Sequence, residues 1–174
     1  MALYDICAYK DVAAHIEDLP ELAGGGIYTG HHIIPDHCFY YTSGLRGKGE
    51  LSAFLCPGVS NYTTANGLVI IVTADSNGGK SREHGRIHDV FDPIEFAFKG
   101  NNRWTYAEAR DAAIQSVMVV CAALTAAILE QTLDAYYKTT CRMTDATLLR
   151  AGEHGAMKGV SARTSARNRA ARPY

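Results

Sequence analysis

The chain has 174 residues, of which 47% are hydrophobic, and its formal net charge is −1 at pH 7. This length fits one domain, or one domain with an appendage, and the hydrophobic content is ordinary for a protein with a real core. The net charge by itself favours no class of partner.

The charge is nevertheless distributed unevenly along the chain. Residues 138–174 carry eight Lys or Arg and only two acidic residues, Asp145 and Glu153, so this end is +6 and the remainder is −7. A basic end on an acidic body suggests an anionic partner such as nucleic acid. A solvated basic tail is the alternative interpretation.

The five cysteines are odd in number, and none forms a Cys-x-x-Cys pair. This pattern predicts reduced, mostly buried thiols in a cytosolic setting and argues against a cysteine-based zinc finger. Cys38 lies close in the sequence to several histidines. It is either a metal ligand or, more simply, a small core residue.

No targeting or membrane segment is predicted. The first ten residues contain an early acid and no basic leader, which is unlike a signal peptide. Residues 112–129 form the longest uncharged run, but its length is at the lower edge for crossing a bilayer. A buried central helix explains this run better.

The first half of the chain predicts a helix followed by a strand and a loop. Residues 5–22 place their apolar side chains on one helical face, and residues 27–34 are typical of a strand. Residues 42–49 contain three glycines together with Arg46 and Lys48, which indicates a loop. Its two cations either contact phosphates or are simply solvated.

A turn signal and a second strand precede the next helix. Asn66 and the glycine after it indicate a turn, and residues 68–73 are strongly typical of a strand. The following short helix holds His84 and His88. Gly85 within it costs about 1 kcal/mol of helix propensity, which suggests a close approach or a functional reason.

The second half of the chain is predicted to be helical. Thr105 and Glu108 fit a capping box, so a long helix is expected over residues 105–138. A short helix is expected after Asp145, reaching residue 150. The segment after it is rich in Ala, Arg, Ser and Gly and resembles a disordered segment in composition.

Four of the seven histidines form two pairs, which is the strongest indication of chemistry. The pairs are His31 with His32 on the first strand and His84 with His88 on the helix. Histidines at i and i+4 share one helix face and can hold one ion. A third ligand from the strand would leave coordination positions open, as in a catalytic metal site. One cation and one adjacent base are what phosphodiester hydrolysis requires.

The motifs resemble those of a known nuclease superfamily. Residues 30–35 (GHHIIP) are similar to the GHH and AHH signatures of bacterial polymorphic toxins in the HNH/endonuclease VII superfamily. Residues 66–68 and 84–88 resemble the later blocks of that family, and the whole set is similar to the nuclease domains of DNA-cutting colicins. The resemblance covers residues 27–92.

The resemblance implies a role for each matching residue. His32 would be the general base, and Asn66 would hold its loop through backbone hydrogen bonds. The implied ligands of one divalent cation are His31, His84 and His88. Mg²⁺ is implied by the family, whereas three imidazoles suit Zn²⁺ or Ni²⁺. Asn61 is the alternative to Asn66, and His37 is either a substitute ligand or a helix-start residue.

The predicted fold is α+β, with a ββα-metal (His-Me finger) motif embedded in a mainly helical single domain that has one long buried helix. The predicted segments are an N-terminal helical part at 1–26, the nuclease core at 27–100, the long and supporting helices at 101–150 and a basic part at 151–174.

The leading functional prediction is a metal-dependent endonuclease that cuts DNA and acts as an antibacterial effector toxin. The predicted phosphate contacts are Arg46, Lys48, Arg86 and Arg103. The resemblance implies an effector secreted without a signal peptide, acting in the target-cell cytoplasm. A cognate immunity protein and a secretion apparatus or carrier protein are the implied partners. The alternatives are an RNase using the same ligands, a non-enzymatic metal-stabilised binding module, and a membrane-active toxin.

Overall fold

The strands Ile6–Ala8 (β1), Gly26–His32 (β2) and Leu68–Asp75 (β3) form an antiparallel sheet in the order β1-β3-β2. In this computed structural model β3 is therefore the central strand. His31 pairs with Ile70 in the β2–β3 register. The apolar run of β3 lets both faces of the sheet be buried, as its sequence predicts.

Alternate residues of β3 enter two different apolar clusters. Ile70 and Val72 belong to the main core, whereas Val69 and Ile71 belong to a smaller cluster on the other face. This alternation follows from the two-residue period of a strand. The helix Val12–Ile16 (α1) covers the smaller cluster through its Val12 and Ile16 side chains.

The helix Glu83–Phe96 (α2) packs against β3 and is fixed to it at its first residue. The Glu83 carboxylate accepts hydrogen bonds from the backbone N–H and the hydroxyl of Thr73, both at 2.9 Å. It also accepts one from the hydroxyl of Tyr4. The helix end that carries His84 is therefore anchored directly to the central strand.

Gly85 sits in α2 where the preceding chain crosses the helix. A Cβ atom at this position would lie 2.4 Å from the Cα atom and 2.6 Å from the carbonyl oxygen of Lys80. Only glycine allows this approach. The close approach suggested by the sequence is confirmed, and it keeps α2 tight against the segment that leads into it.

A second, two-stranded sheet pairs Arg103–Thr105 (β4) with Leu148–Arg150 (β5). The helix Tyr106–Met118 (α3) follows β4 and begins at the predicted capping box. The Glu108 carboxylate accepts the Thr105 backbone N–H at 2.7 Å, and the Thr105 hydroxyl accepts the Glu108 N–H at 3.3 Å. The predicted start of this helix is thus confirmed.

The prediction of a single long helix over residues 105–138 is wrong. The structure ends α3 at residue 118 and starts a new helix, Ala126–Tyr137 (α4). The hydroxyl of Thr125 caps α4 by accepting the N–H of Ile128 at 3.2 Å. The uncharged run at 112–129 spans this break and is therefore not one buried helix.

Two further helix predictions are corrected by strand pairing. Much of 5–22 is not helical, because β1 pairs with β3 and the Tyr4 N–H donates to the Ile71 carbonyl. The segment predicted as a short helix after Asp145 contains β5, which pairs with β4. In both cases a neighbouring strand edge supplies backbone partners that outweigh local helix propensity.

The α+β prediction is confirmed, whereas a mainly helical domain is not. The structure describes residues 3–42, 55–77, 79–152 and 155–160, and within them it has four α-helices and two small sheets. In those ranges no helix is both long and apolar enough to cross a membrane. Arg46, Lys48 and the basic residues from 161 onward lie outside the described residues.

Candidate metal centre

Three histidine side chains from two elements converge at one end of the sheet. His31 is the penultimate residue of β2, and His84 and His88 lie one turn apart on α2. The ring centroids of His31 lie 4.8 Å from His84 and 5.0 Å from His88, and the two helical rings lie 5.0 Å apart. One nitrogen from each ring lies within 4.8 Å of the others, so the group could hold one metal ion.

Burial keeps His31 and His84 in the neutral form that binds metals. His31 is only 5% exposed. Burial lowers its pKa well below the usual histidine value, and the neighbouring imidazoles lower the pKa further. Burial, followed by the charge of His88, also lowers the pKa of His84. Both rings are therefore neutral at pH 7 and have a lone pair available for a cation.

The orientation of His88 is set by a neighbouring carboxylate. Its Nδ1 lies 3.1 Å from Oδ1 of Asp92, one turn further along α2. Since a carboxylate only accepts, Nδ1 carries the proton and donates it, which leaves Nε2 as the basic nitrogen. A carboxylate behind a histidine ligand is a common device for orienting the ring and raising its basicity.

We expect Asp92→Ala to weaken divalent metal binding by about tenfold, since loss of such a partner typically costs 10–100-fold and Asp92 is exposed. Titration calorimetry with Zn²⁺ or Ni²⁺ would measure the change. Asp89→Ala is the matched control, because Asp89 is also exposed on α2 but faces Lys80 at 4.0 Å. Equal affinities for the two variants would contradict the role of Asp92.

His32 is the last residue of β2 and directly follows His31. Its ring stacks on that of Tyr9, with centroids 4.9 Å apart and an angle of 22° between the planes. A Cβ atom on Gly67 would lie 3.0 Å from His32 Nδ1, so the absence of a side chain there makes room for the ring. His31 and His32 both line one open cleft of about 1260 Å³.

The two candidate asparagines occupy different positions. Asn66 ends the 3-10 turn Thr64–Asn66 next to Gly67, and its backbone N–H donates to the carbonyl of Thr63 at 3.0 Å. Gly67, the residue after this turn, lies close to the ring of His32. The Asn61 side chain instead donates to the Thr140 carbonyl at 3.1 Å, which is a structural role away from the histidines.

Of the predicted phosphate contacts, only Arg86 and Arg103 lie within the described residues. Arg86 is exposed on α2 and donates to the Val119 carbonyl at 3.3 Å, so it is directed away from the histidine face. Neither it nor Arg103 is among the described residues that line the cleft, whereas Lys99 and Arg150 are. Lys99 is exposed, and its ammonium lies 4.7 Å from the ring centroid of the exposed Phe96.

A second group of possible metal ligands opens on the same cleft and consists of His37, Cys38 and Glu95. His37 Nε2 lies 2.6 Å from Glu95 Oε1, and the Cys38 thiol lies 3.6 Å from the same oxygen. The sequence marks His37 and Cys38 as possible ligands, but Glu95 is not among the residues predicted from it. Glu95 could have been recognised from its position seven residues after His88, which places both residues on the same side of α2.

Comparison of the chain with protein-family models finds no match, and neither curated proteins nor solved structures give a significant match. Membership of the HNH superfamily therefore stays a prediction that depends on the sequence motifs. The structure by itself defines a small α+β domain, and its described residues include two groupings of side chains that could hold a metal ion.

Proposed function

We propose that this protein is a metal-dependent endonuclease that hydrolyses phosphodiester bonds of DNA. One observation carries the proposal: three imidazoles converge on one point, and a fourth, that of His32, lines the same open cleft. The order β2, β3, α2 with ligands on the first and last elements agrees with a ββα-metal motif. An open cleft gives a substrate access that a closed structural metal site does not need.

The donor set fits a divalent cation. Neutral imidazoles favour Zn²⁺, Ni²⁺ or Cu²⁺, whereas the predicted use of Mg²⁺ comes from the family resemblance alone. A cation held by His31, His84 and His88 would neutralise the charge that develops on the scissile phosphate. His31 is held by the β2–β3 ladder and the other two by a helix anchored to β3, so the three nitrogens are preorganised.

The chain itself supplies the proton acceptor. His32 would take a proton from the attacking water, a common role of histidine in enzymes. The stacked ring of Tyr9 and the bare backbone of Gly67 restrict the rotation of the His32 ring. His32 lines the same cleft as His31.

Lys99 is the best-placed cation for a DNA phosphate among the residues that the structure describes. It is exposed, lines the cleft and carries a flexible ammonium. Asp36, Asp92 and Glu95 line the same cleft and oppose the approach of an anion. We therefore expect DNA binding to depend on both the bound cation and Lys99.

Lys99→Ala should weaken DNA binding and reduce the slope of log affinity against log salt by roughly one, because one phosphate contact is lost. Fluorescence anisotropy of a labelled duplex, measured with Zn²⁺ in the slowly cleaving His32→Ala background, would give both quantities. Arg86→Ala is the matched control, since this exposed cation lies off the cleft. A larger effect of Arg86→Ala would reverse the assignment.

The direct test of the activity is incubation of supercoiled plasmid with the protein and Mg²⁺, Mn²⁺, Ni²⁺ or Zn²⁺, with and without a chelator. We expect nicked and linear DNA in at least one metal and none with the chelator. A parallel arm with structured RNA separates a DNase from an RNase. Intact DNA and RNA under every metal would contradict the proposal and favour a metal-stabilised binding module.

The effector role is proposed on the sequence motifs. An intracellular DNase damages the cell that makes it, so a producing cell needs an immunity protein that blocks the cleft. We expect induced expression in a bacterial cytoplasm to stop growth and degrade the chromosome, and His32→Ala to relieve both effects. Growth arrest by the His32→Ala variant with intact DNA would instead indicate another mode of toxicity.

A further inference from the structure

The cleft contains a second group of metal-binding side chains at the opposite end of α2 from His84. His37 and Cys38 lie in the 3-10 turn Asp36–Phe39, and Glu95 lies in the last turn of α2. Cys38 is fully buried and Glu95 is 6% exposed. A thiol, an imidazole and a carboxylate thus meet at one point between two elements that are far apart in the sequence.

A buried arginine holds this turn in place. Arg150 is 1% exposed, and its guanidinium donates to three backbone carbonyls, those of His37 at 2.8 Å, Tyr40 at 2.9 Å and Gly152 at 2.8 Å. These bonds fix the backbone on both sides of Cys38. The positions of the side chains are therefore set before any ligand arrives, which reduces the entropy lost on binding.

The separation between the thiol and the carboxylate suits a thiophilic divalent ion. The usual metal–ligand lengths of tetrahedral Zn²⁺ place its ligand atoms about 3.3–3.6 Å apart. The separation between Cys38 Sγ and Glu95 Oε1 is 3.6 Å, which already matches. The separation between His37 Nε2 and Glu95 Oε1 is 2.6 Å and would have to widen, and because His37 and Glu95 line the cleft, there is room and a path of entry.

We propose that His37, Cys38 and Glu95 form a second metal site that binds Zn²⁺ or a similar thiophilic ion, independently of the three-histidine site. Binding would replace the hydrogen bond between His37 and Glu95, and the proton on His37 Nε2 would be exchanged through solvent for one on Nδ1, so that Nε2 can bind the ion. The thiol proton of Cys38 would be released to solvent. A fourth position would face the cleft. The ion would tie the Asp36–Phe39 turn to the end of α2.

The two sites differ in position and in chemistry. His88 and Glu95 are seven residues apart on α2, which separates the sites by about 10 Å along the helix axis. The first group offers three imidazoles, whereas the second offers a thiolate. A spectroscopic signal of a metal–thiolate bond therefore reports the second site alone.

The test is titration of the purified, reduced protein with Co²⁺, without nucleic acid, while recording the near-ultraviolet sulfur-to-cobalt charge-transfer band. We expect wild type to develop the band with one thiolate bound, Cys38→Ser to lose it, and His37→Gln to weaken cobalt binding more than tenfold. His84→Ala should keep the band. Cys7→Ser, which changes a buried thiol on β1, is the matched control and should also keep it.

Absence of the band in folded wild-type protein at saturating Co²⁺ would overturn the second site. Persistence of the band in Cys38→Ser would do the same, because the thiolate would then belong to another cysteine. Circular dichroism of each variant distinguishes loss of the site from loss of the fold, and His37→Gln changes a partly exposed side chain in case Cys38→Ser does not fold. Since no nuclease activity is measured, failure here leaves the proposed endonuclease untouched, and the converse also holds.

Discussion

His32→Ala is expected to lower the rate of plasmid cleavage by about 10²–10⁴-fold, the usual contribution of a general base. His32 directly follows His31 in the sequence but does not belong to the three-histidine group. Its ring stacks on that of Tyr9 and lies close to Gly67. Timed digestion of supercoiled plasmid under single-turnover conditions would measure the change.

The control for this variant is retention of metal binding. Because the three-histidine group stays complete, titration calorimetry should give the same metal affinity for His32→Ala as for wild type. His15→Ala changes a histidine on α1 outside the cleft and should leave cleavage unchanged. Equal cutting by wild type and His32→Ala would remove His32 from the mechanism.

Gly85→Ala is expected to destabilise the fold by roughly 1–3 kcal/mol, the usual cost of overpacking a filled site. The added methyl group would meet two backbone atoms of Lys80 at 2.4 and 2.6 Å, and backbone atoms cannot turn aside as a flexible side chain can. Because His84 directly precedes Gly85, the shift of α2 should also weaken metal binding. Urea denaturation and metal titration would measure the two effects.

Gly100→Ala is the matched control for this substitution. No heavy atom lies within 4 Å of a Cβ built on Gly100, so we expect a change within about ±0.5 kcal/mol. Alanine at position 85 also gains helix propensity of about 1 kcal/mol. A net stabilisation by Gly85→Ala would therefore show that the crossing at Lys80 is loose and does not position the helix.

The arrangement of the histidines could be predicted from the sequence because each signal is local. The strand at 27–34 and the helix carrying His84 and His88 follow from periodicity and turn residues, and the structure has both as β2 and α2. The close approach at Gly85 could likewise be read from the cost of a glycine inside a helix. What the sequence could not give was the register, which places His31 opposite Ile70.

The helix errors have a common physical cause. Within the uncharged run at 112–129 only the hydroxyl of Thr125 signals a new helix start, because the end of α3 is apolar. The strands β1 and β5 form because β3 and β4 offer unpaired backbone groups at their edges. Such partners are distant in the sequence, so local propensity favoured a helix at both places.

The second ligand group could not be predicted from the sequence for a different reason. Glu95 lies 57 residues from Cys38, and the two meet because α2 and the turn at 36–39 pack on one core. Similarly, Arg86 looks suited to phosphate from its place between two histidines. Its position, about 200° around the helix from His84, directs it elsewhere.

The central claim is tested most directly by anomalous diffraction from crystals soaked in Zn²⁺ or Ni²⁺. We predict one strong peak between His31, His84 and His88, about 2.0–2.1 Å from one nitrogen of each ring, with a coordination position open to the cleft. A peak at His37, Cys38 and Glu95 would be additional. No peak at the three histidines at saturating metal, or a closed four-ligand site there, would contradict a catalytic metal centre.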